Sequence, residues 1–175
     1  MPIELDSPSR NAPDATARFD AIARLPFGCV GVRTNNWQVT EICFLPGDVN
    51  PKAAANALAQ RVLDQLRAYC IDSSAAIDLP LAIEGTDFQR RVWEQICCIP
   101  VGATATYGEL ARRLHAEARA VGQACGDNRL PLAIPCHRVV AASGIGGFAH
   151  HRGGAYEAIK RWLLLHEAGS ELRLT

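Results

Sequence analysis

Cys136 and His137 stand side by side inside the apolar run Ile134–Val140, and their residue types could support nucleophilic chemistry. A cysteine attacks only as its thiolate, and a neighbouring histidine favours the thiolate by accepting the proton. In an extended segment adjacent side chains point to opposite faces, so a bridging water between the two is expected. The residues alone favour a buried, unreactive thiol, because free cysteine is among the most buried residue types.

The C-terminal half is predicted to be helical on both sides of this pair. Apolar spacing predicts helices over 87–98, 107–114, 117–125 and 155–167. The first two open on capping boxes, Thr86 with Gln89 and Thr106 with Glu109, in which each side chain satisfies a free backbone amide. The two short helices in the middle, with their tight connection, fit either a helix-turn-helix or a plain helical hairpin.

The N-terminal half is predicted to hold a β-hairpin followed by a helix. Two β-rich runs, 27–32 and 37–45, are separated by turn residues. Asn50 before Pro51 resembles an N-cap with proline at the first helical position, which predicts a helix that continues to about Tyr69.

The remaining N-terminal segments suggest where the domains divide. Residues 1–24 are polar with three prolines, and a loosely ordered lead-in is expected there. A linker is expected within 71–85. The sequence therefore predicts two domains, 1–82 and 83–175.

The composition is that of a globular protein, with 49% hydrophobic and 21% charged residues among 175. The net charge is zero, but residues 86–175 carry +3 and residues 1–85 carry −3. That basicity permits nucleic-acid binding without indicating it alone. No run resembles a secretion signal or a membrane span, so a cytoplasmic location without a membrane partner is expected. Seven cysteines are an odd count in a chain without a secretion signal, so reduced thiols are expected. No C-x-x-C pair occurs, so no metal site is expected.

Several segments resemble, in the same order, the motifs of the O6-alkylguanine-DNA alkyltransferase family. Besides Ile134–Val140, the similar segments are Phe88-Gln89, Val92-Trp93, Ile99-Pro100-x-Gly102, Thr106–Ala111, Ala118–Gly122, Asn128 and Trp162–Glu167. Members of that family move an alkyl group from damaged guanine onto their own cysteine. So many matches at matching spacing do not arise by chance.

The resemblance implies four catalytic residues. Cys136 is the implied alkyl acceptor, and His137 is the implied base that takes the thiol proton through a water. Glu167 is implied to orient His137. Tyr107 is implied to donate a hydrogen bond toward guanine N3, which stabilises the departing guanine anion. From the residues alone, Tyr107 fits equally well as an interface residue between a helix and the core.

Further residues are implied to contact DNA or to shape the site. Arg119 is implied to enter the base stack and hold the gap left by the extruded nucleotide, although it also fits a solvated surface charge. The other implied DNA-binding residues are Ala120, Gly122, Thr106 and Arg138. Asn128 is the implied hinge beside the active-site turn, although it also fits a simple turn residue. The implied substrate pocket consists of Phe148, Pro135 and Trp93.

The resemblance also implies a fold and an overall function. The implied fold is α+β, with a small ribonuclease-H-like N-terminal domain and a mainly helical C-terminal domain that contains a helix-turn-helix. Because the N-terminal half shows no carboxylate cluster for nuclease chemistry, we interpret it as a scaffold. The implied function is single-use transfer, without a cofactor, by a monomer acting on double-stranded DNA that contains O6-alkylguanine, or O4-alkylthymine.

Two other functions and one departure from the family pattern stay open. The chain also fits a non-catalytic lesion-binding or regulatory DNA protein on the same fold, or a cysteine hydrolase. Phe148 stands where the family usually has tyrosine, and the segment before Gly153 is longer, so the size of adduct that fits is in question. The His150-His151 pair there is interpreted as a surface feature rather than a metal site.

Overall fold

The computed structural model describes residues 15–171, without the side chains of residues 170 and 171. The chain forms two compact units, with the division between Ala82 and Ile83. The N-terminal unit contains β1 Ala21–Leu25, β2 Gly28–Thr34, β3 Val39–Leu45 and α1 Ala57–Ile71. The C-terminal unit contains α2 Asp87–Cys97, β4 Ala105–Thr106, α3 Tyr107–Leu114, α4 Ala118–Gly126, a 3-10 turn Cys136–Arg138, β5 Val139–Val140 and α5 Gly154–Glu171.

The N-terminal unit is built on an antiparallel sheet in the order β1-β2-β3. The β2–β3 pair confirms the predicted hairpin, with Cys29 opposite Leu45 at one end and Thr34 opposite Val39 at the other. The predicted lead-in is wrong where it overlaps β1, because pairing with β2 orders that strand and buries its apolar side chains. Residues 1–14 of the predicted lead-in lie outside the described residues.

Phe19 explains why a glycine stands in the middle of β2. Its side chain is buried, and a Cβ atom at Gly31 would lie 2.7 Å from the Phe19 ring. Because glycine has no side chain, the ring can pack directly on the strand backbone. Phe19 thereby closes one side of the N-terminal core together with Ile22 and Cys29.

Helix α1 begins later than predicted. Asn56, not Asn50, is its N-cap, and the Asn56 side chain accepts a hydrogen bond from the backbone N–H of Ala59 at 2.8 Å. The predicted start is wrong because Lys52 is in extended backbone, where its N–H and C=O pair with Ile22 at 2.9 and 3.0 Å. Sheet pairing gives hydrogen-bond partners to backbone groups that would have none in the first turn of a helix.

The helices of the C-terminal unit follow the predicted pattern to within a few residues. Both capping boxes are confirmed: the hydroxyls of Thr86 and Thr106 accept from the backbone N–H of Gln89 and Glu109, each at 3.1 Å. His115, with a φ of 51°, turns the chain between α3 and α4. No helix within residues 15–171 is long and apolar enough to cross a membrane.

Two features of this unit position the 3-10 turn. Strands β4 and β5 pair in parallel, which joins the start of α3 to the residues that follow the turn. Helix α5 packs against the turn, with Ile159 and Leu163 on its buried face. The segment that carries Cys136 is therefore held between a helix N-terminus and a long helix.

Candidate active site

Cys136 lies in a 3-10 turn rather than in extended backbone. The turn is closed by hydrogen bonds from the Cys136 N–H to the Ile134 carbonyl at 2.8 Å and from the Arg138 N–H to the Pro135 carbonyl at 3.0 Å. The Cys136 side chain is 5% exposed and contributes to the lining of a cleft of about 800 Å³. A buried thiol that lines a cleft reacts with a group that enters that cleft.

Asn128 fixes the sulfur of Cys136. Its Nδ2 group donates to the Cys136 Sγ atom and to the Ile134 carbonyl, both at 2.9 Å. Its Oδ1 atom accepts from the Leu130 N–H at 2.9 Å. The amide therefore joins the segment after α4 to the active-site turn and also places a donor on the reactive atom.

His137, Glu167 and Arg138 form a buried network behind Cys136. His137 Nε2 lies 2.7 Å from Glu167 Oε1, and both side chains are 1% exposed. Arg138 donates to both carboxylate oxygens, from Nε at 2.9 Å and from Nη2 at 3.0 Å. Among the described residues His137 Nδ1 has no hydrogen-bond partner. The geometry thus leaves one histidine nitrogen available while the other is held by the carboxylate.

The charges of this network follow from its contacts. Burial favours the neutral form of Glu167, but hydrogen bonds from His137 and Arg138, together with the positive charge of Arg138, outweigh it and lower its pKa to about 2. Burial lowers the pKa of His137 below its ordinary value, despite the opposing effect of Glu167. At neutral pH the carboxylate is ionised and the imidazole is neutral. Because an ionised carboxylate only accepts, His137 Nε2 carries the proton, and Nδ1 is the basic nitrogen.

Cys125 on α4 is a site residue that the sequence reasoning missed. Hydrogen bonding to the Cys125 thiol, followed by burial, raises the pKa of Cys136 well above its ordinary value, and the Asn128 amide opposes this. Both thiols are buried and contribute to the lining of the cleft. The sequence could have indicated Cys125 through its helical spacing, since it follows the core residue Val121 by four positions and so lies on the same face of α4. The resting nucleophile is therefore a thiol.

Lys160 is the second residue that was missed. Its side chain is fully buried, and Nζ donates to the Val139 carbonyl at 2.6 Å and to the Gly147 carbonyl at 2.8 Å. Burial lowers its pKa to about 8. The sequence could have indicated Lys160 through its spacing, because it precedes Glu167 by two helical turns and therefore lies on the same buried face of α5.

Tyr107, at the start of α3, faces the same region. Its hydroxyl donates to the Gly147 carbonyl at 3.3 Å, and its ring lies 5.8 Å from the Lys160 ammonium. Burial, followed by the two neighbouring thiols, raises the pKa of Tyr107 above its ordinary value. Tyr107 is therefore a protonated donor at neutral pH, and it contributes to the lining of the Cys136 cleft.

The predicted DNA-binding residues lie in different settings. Arg119 is exposed on α4 and, with Gly122, contributes to the lining of the cleft. Ala120 is partly exposed on the same helix. The Thr106 side chain caps α3.

Arg138 does not have the geometry expected of a DNA-binding side chain. Its side chain is only 11% exposed, because the guanidinium pairs with Glu167 and donates to the Ile99 carbonyl at 2.7 Å. The 3-10 turn directs this side chain inward, so the sequence-based assignment is wrong.

Two of the three predicted pocket residues lie outside the cleft. Trp93 is a core residue, 4% exposed, whose Nε1 donates to the Ala124 carbonyl at 2.8 Å. Pro135 is buried behind the turn and is not among the residues that line the cleft. Phe148 does line it. No cluster of three metal-binding side chains occurs in the part of the chain that the structure describes.

The Phe148–His151 segment forms a tight turn at the rim of the cleft. The backbone N–H groups of Phe148 and His151 each donate to the carbonyl of the other at 2.8 Å. The two residues between them, Ala149 and His150, have φ values of 50° and 65°. Such a conformation costs about 1 kcal/mol or more per non-glycine residue, so contacts outside the turn must hold it.

Comparison with known proteins finds a family model and related sequences. Residues 87–169 match the family model for the 6-O-methylguanine DNA methyltransferase DNA-binding domain. A methylated-DNA–protein-cysteine methyltransferase from Mycolicibacterium paratuberculosis is 40% identical over 129 residues, which are 72% of this chain and 73% of that protein.

Solved structures extend the match to both units. The crystal structure of Mycobacterium tuberculosis O6-methylguanine methyltransferase superposes with a TM-score of 0.70 and 32% identity, covering 85% of this chain and 92% of that one. The Mycobacterium tuberculosis OGT structure in complex with DNA has the same TM-score and 33% identity, with the same coverage. The α+β architecture is therefore that of these enzymes, and the chain belongs to the methylated-DNA–protein-cysteine methyltransferase family.

Proposed function

We propose that this protein repairs DNA by moving an alkyl group from the O6 atom of guanine, or from the O4 atom of thymine, onto Cys136. The observation that carries the proposal is the placement of the Cys136 sulfur in a cleft, with the buried His137–Glu167–Arg138 network behind it. In the transfer a bond forms between Sγ and the alkyl carbon as the bond from that carbon to the base oxygen breaks. The base departs with the electron pair, and no cofactor takes part.

His137 acts as the base in this proposal. Its Nδ1 atom is the nitrogen without a partner among the described residues, and its lowered pKa keeps it neutral and able to accept a proton. A water between Nδ1 and the Cys136 thiol carries the proton across. The imidazolium that results is stabilised by the Glu167 carboxylate at 2.7 Å.

Tyr107 acts on the leaving group. Because its raised pKa keeps the hydroxyl protonated, Tyr107 can donate a hydrogen bond to N3 of the guanine as negative charge develops on the base. The hydroxyl is held only by a long contact of 3.3 Å to the Gly147 carbonyl, so a better acceptor in the cleft can replace that contact.

Helices α3 and α4 act as a helix-turn-helix in the proposed complex with double-stranded DNA. The exposed Arg119 on α4 enters the base stack, and the small residues Ala120 and Gly122 let the helix approach the duplex. The target base is turned out of the stack into the cleft, since Cys136 is too buried to reach a stacked base.

The N-terminal unit serves as a scaffold with a ribonuclease-H-like arrangement, which its antiparallel sheet followed by α1 supports. We propose that the protein acts as a monomer in the cytoplasm.

Each molecule acts once in this proposal. A thioether is a very poor leaving group, and the mechanism offers no route back to the thiol. Adding a methyl group to the packed surroundings of Cys136 should lower the free energy of unfolding by about 1–3 kcal/mol, the usual cost of overpacking.

The test is intact-protein mass spectrometry with peptide mapping after incubation with excess duplex that contains O6-methylguanine. One added methyl group is expected on Cys136, and none on Cys136→Ala. Cys98→Ala is the matched control, because Cys98 is an exposed thiol outside the cleft, and it should accept one methyl group as the wild type does.

Two other outcomes would replace the proposal. Binding of the lesion without any mass change would favour a non-catalytic lesion-binding or regulatory protein on the same fold. Repeated turnover of a small ester, without stoichiometric alkylation, would favour a cysteine hydrolase.

A further inference from the structure

We propose that His150 is a positioning residue that holds the Phe148–His151 turn against α4 and thereby limits the size of the alkyl group that reaches Cys136. This inference rests on the proposed function and concerns its substrate range. It is drawn from the turn itself, which borders the same cleft as Cys136 and has a strained backbone that needs an external anchor.

The anchor is a contact between His150 and the C-terminal end of α4. His150 Nε2 lies 2.7 Å from Asp127 Oδ1. The second carboxylate oxygen, Oδ2, accepts a hydrogen bond from Gln89 Nε2 on α2 at 2.9 Å. Asp127 is thus held from two sides, and a fixed acceptor is a better anchor than a mobile one.

Gly126 provides the space that the anchor needs. A Cβ atom at this position would lie 2.3 Å from two atoms of the His150 ring, which is far inside contact distance. The ring therefore occupies the volume that the side chain of any other residue type at position 126 would fill. The absence of a side chain at position 126, the last residue of α4, leaves this space to the His150 ring.

The opposite side of the turn is fixed by other groups. The Gly147 carbonyl, just before the turn, accepts from Lys160 at 2.8 Å and from Tyr107 at 3.3 Å. The His151 ring stacks on Tyr156 with 4.0 Å between centroids and 2° between planes. The His150–Asp127 contact adds a connection from the turn to the C-terminal end of α4 across the cleft rim.

The consequence concerns the Phe148 side chain, which lines the cleft and is 6% exposed. While His150 stays on Asp127, Phe148 is held in the cleft wall. When His150 is released, the turn can move and the cleft can widen. A partly exposed histidine–aspartate contact changes such an equilibrium by a small factor, so an effect of about two- to fivefold is expected.

The experiment compares single-turnover rates with two duplexes, one containing O6-methylguanine and one containing O6-benzylguanine. The measured quantity is the ratio of the benzyl rate to the methyl rate. We expect His150→Ala to raise this ratio about two- to fivefold. Gly126→Ala should raise it by a similar factor, because the added methyl group displaces the ring from Asp127 while the imidazole is still present.

The double variant separates this mechanism from others. In the His150→Ala background, Gly126→Ala should have no further effect, since there is no ring to displace. Gly169→Ala is the matched control for a glycine-to-alanine change in a helix, because a Cβ atom there meets nothing within 4 Å, and it should leave the ratio unchanged. Asp127→Ala tests the same contact from its other side if Gly126→Ala does not fold.

Two results would overturn the inference. One is an unchanged ratio in both His150→Ala and Asp127→Ala. The other is a Gly126→Ala effect that persists in the absence of His150, which would place the cause in α4 itself. Failure of the proposed function is distinguishable from both, because the wild type would then not transfer a methyl group at all.

Discussion

Replacement of Glu167 by glutamine tests the charge at the centre of the buried network while keeping the size of the side chain. The pKa of Glu167 falls from an ordinary value of 4.5 to about 2 in the folded protein, because His137 and Arg138 outweigh the effect of burial. Each tenfold change in proton affinity corresponds to about 1.4 kcal/mol. The ionised carboxylate therefore contributes about 3 kcal/mol to the free energy of unfolding at pH 7.

The pH dependence of this contribution has a definite sign. Because the folded-state pKa lies below the unfolded-state value, the stabilisation is fully present above pH 4.5 and is lost as the pH falls toward 2. At pH 3 about 1 kcal/mol remains. Glu167→Gln should therefore be less stable than the wild type by about 3 kcal/mol at pH 7, but by only about 1 kcal/mol at pH 3.

Urea denaturation of both proteins at the two pH values measures this difference. Glu157→Gln is the matched control on the same helix, because Glu157 forms a surface pair with Arg161 at 3.0 Å and should cost less than about 1 kcal/mol. A loss for Glu167→Gln that is equal at pH 7 and pH 3 would refute the reasoning, since it would place the effect in packing rather than in charge. The rate of methyl transfer should also fall about 100-fold or more, because His137 loses the group that orients it.

Three further predictions test the assignments of single residues. Cys125→Ala should lower the pKa of Cys136, so the pH profile of Cys136 alkylation by iodoacetamide should move to lower pH; an unchanged profile would contradict the assigned role of Cys125. Arg138→Ala should lower the urea midpoint but leave the affinity for undamaged duplex and its salt dependence unchanged, because the guanidinium faces Glu167. The pKa of Lys160 is lowered to about 8 in the folded protein. Relative to Lys160→Met, the wild type should therefore gain about 3 kcal/mol of stability as the pH rises from 8 through 10.5. A difference in unfolding free energy between the two proteins that does not change with pH would contradict this.

Helix boundaries were predictable where the signal is local. The capping boxes at Thr86 and Thr106 lie within four residues of the helices they start, so no distant contact is needed to interpret them. The start of α1 was missed because Asn50 and Asn56 are both plausible caps. The choice between them depends on backbone pairing of Lys52 with Ile22, which is thirty residues away in sequence.

The site was predictable in its residue types and less so in the direction of its side chains. The structure brings the Asn128 amide to the sulfur of Cys136 and the Glu167 carboxylate to His137, two residues that the family resemblance named. Arg138 was assigned to DNA through the family resemblance, whereas in the 3-10 turn its guanidinium faces Glu167. Lys160 matches no motif, and its position depends on how α5 packs.

The electrostatics of the site explain how a thiol with a raised pKa can still be the nucleophile. The Glu167 carboxylate lies 2.7 Å from His137 Nε2, so the imidazolium that forms when His137 takes the thiol proton has a negative partner in place, although Arg138 shares that carboxylate. The thiolate that forms at the same moment meets the Asn128 amide at 2.9 Å. Both charges of the activated pair are thus met by groups already in position. The proton needs to move only when an alkyl carbon is present to accept the sulfur electron pair as its bond to the base oxygen breaks. The raised pKa keeps Cys136 as an unreactive thiol until then, which suits a residue that is used only once.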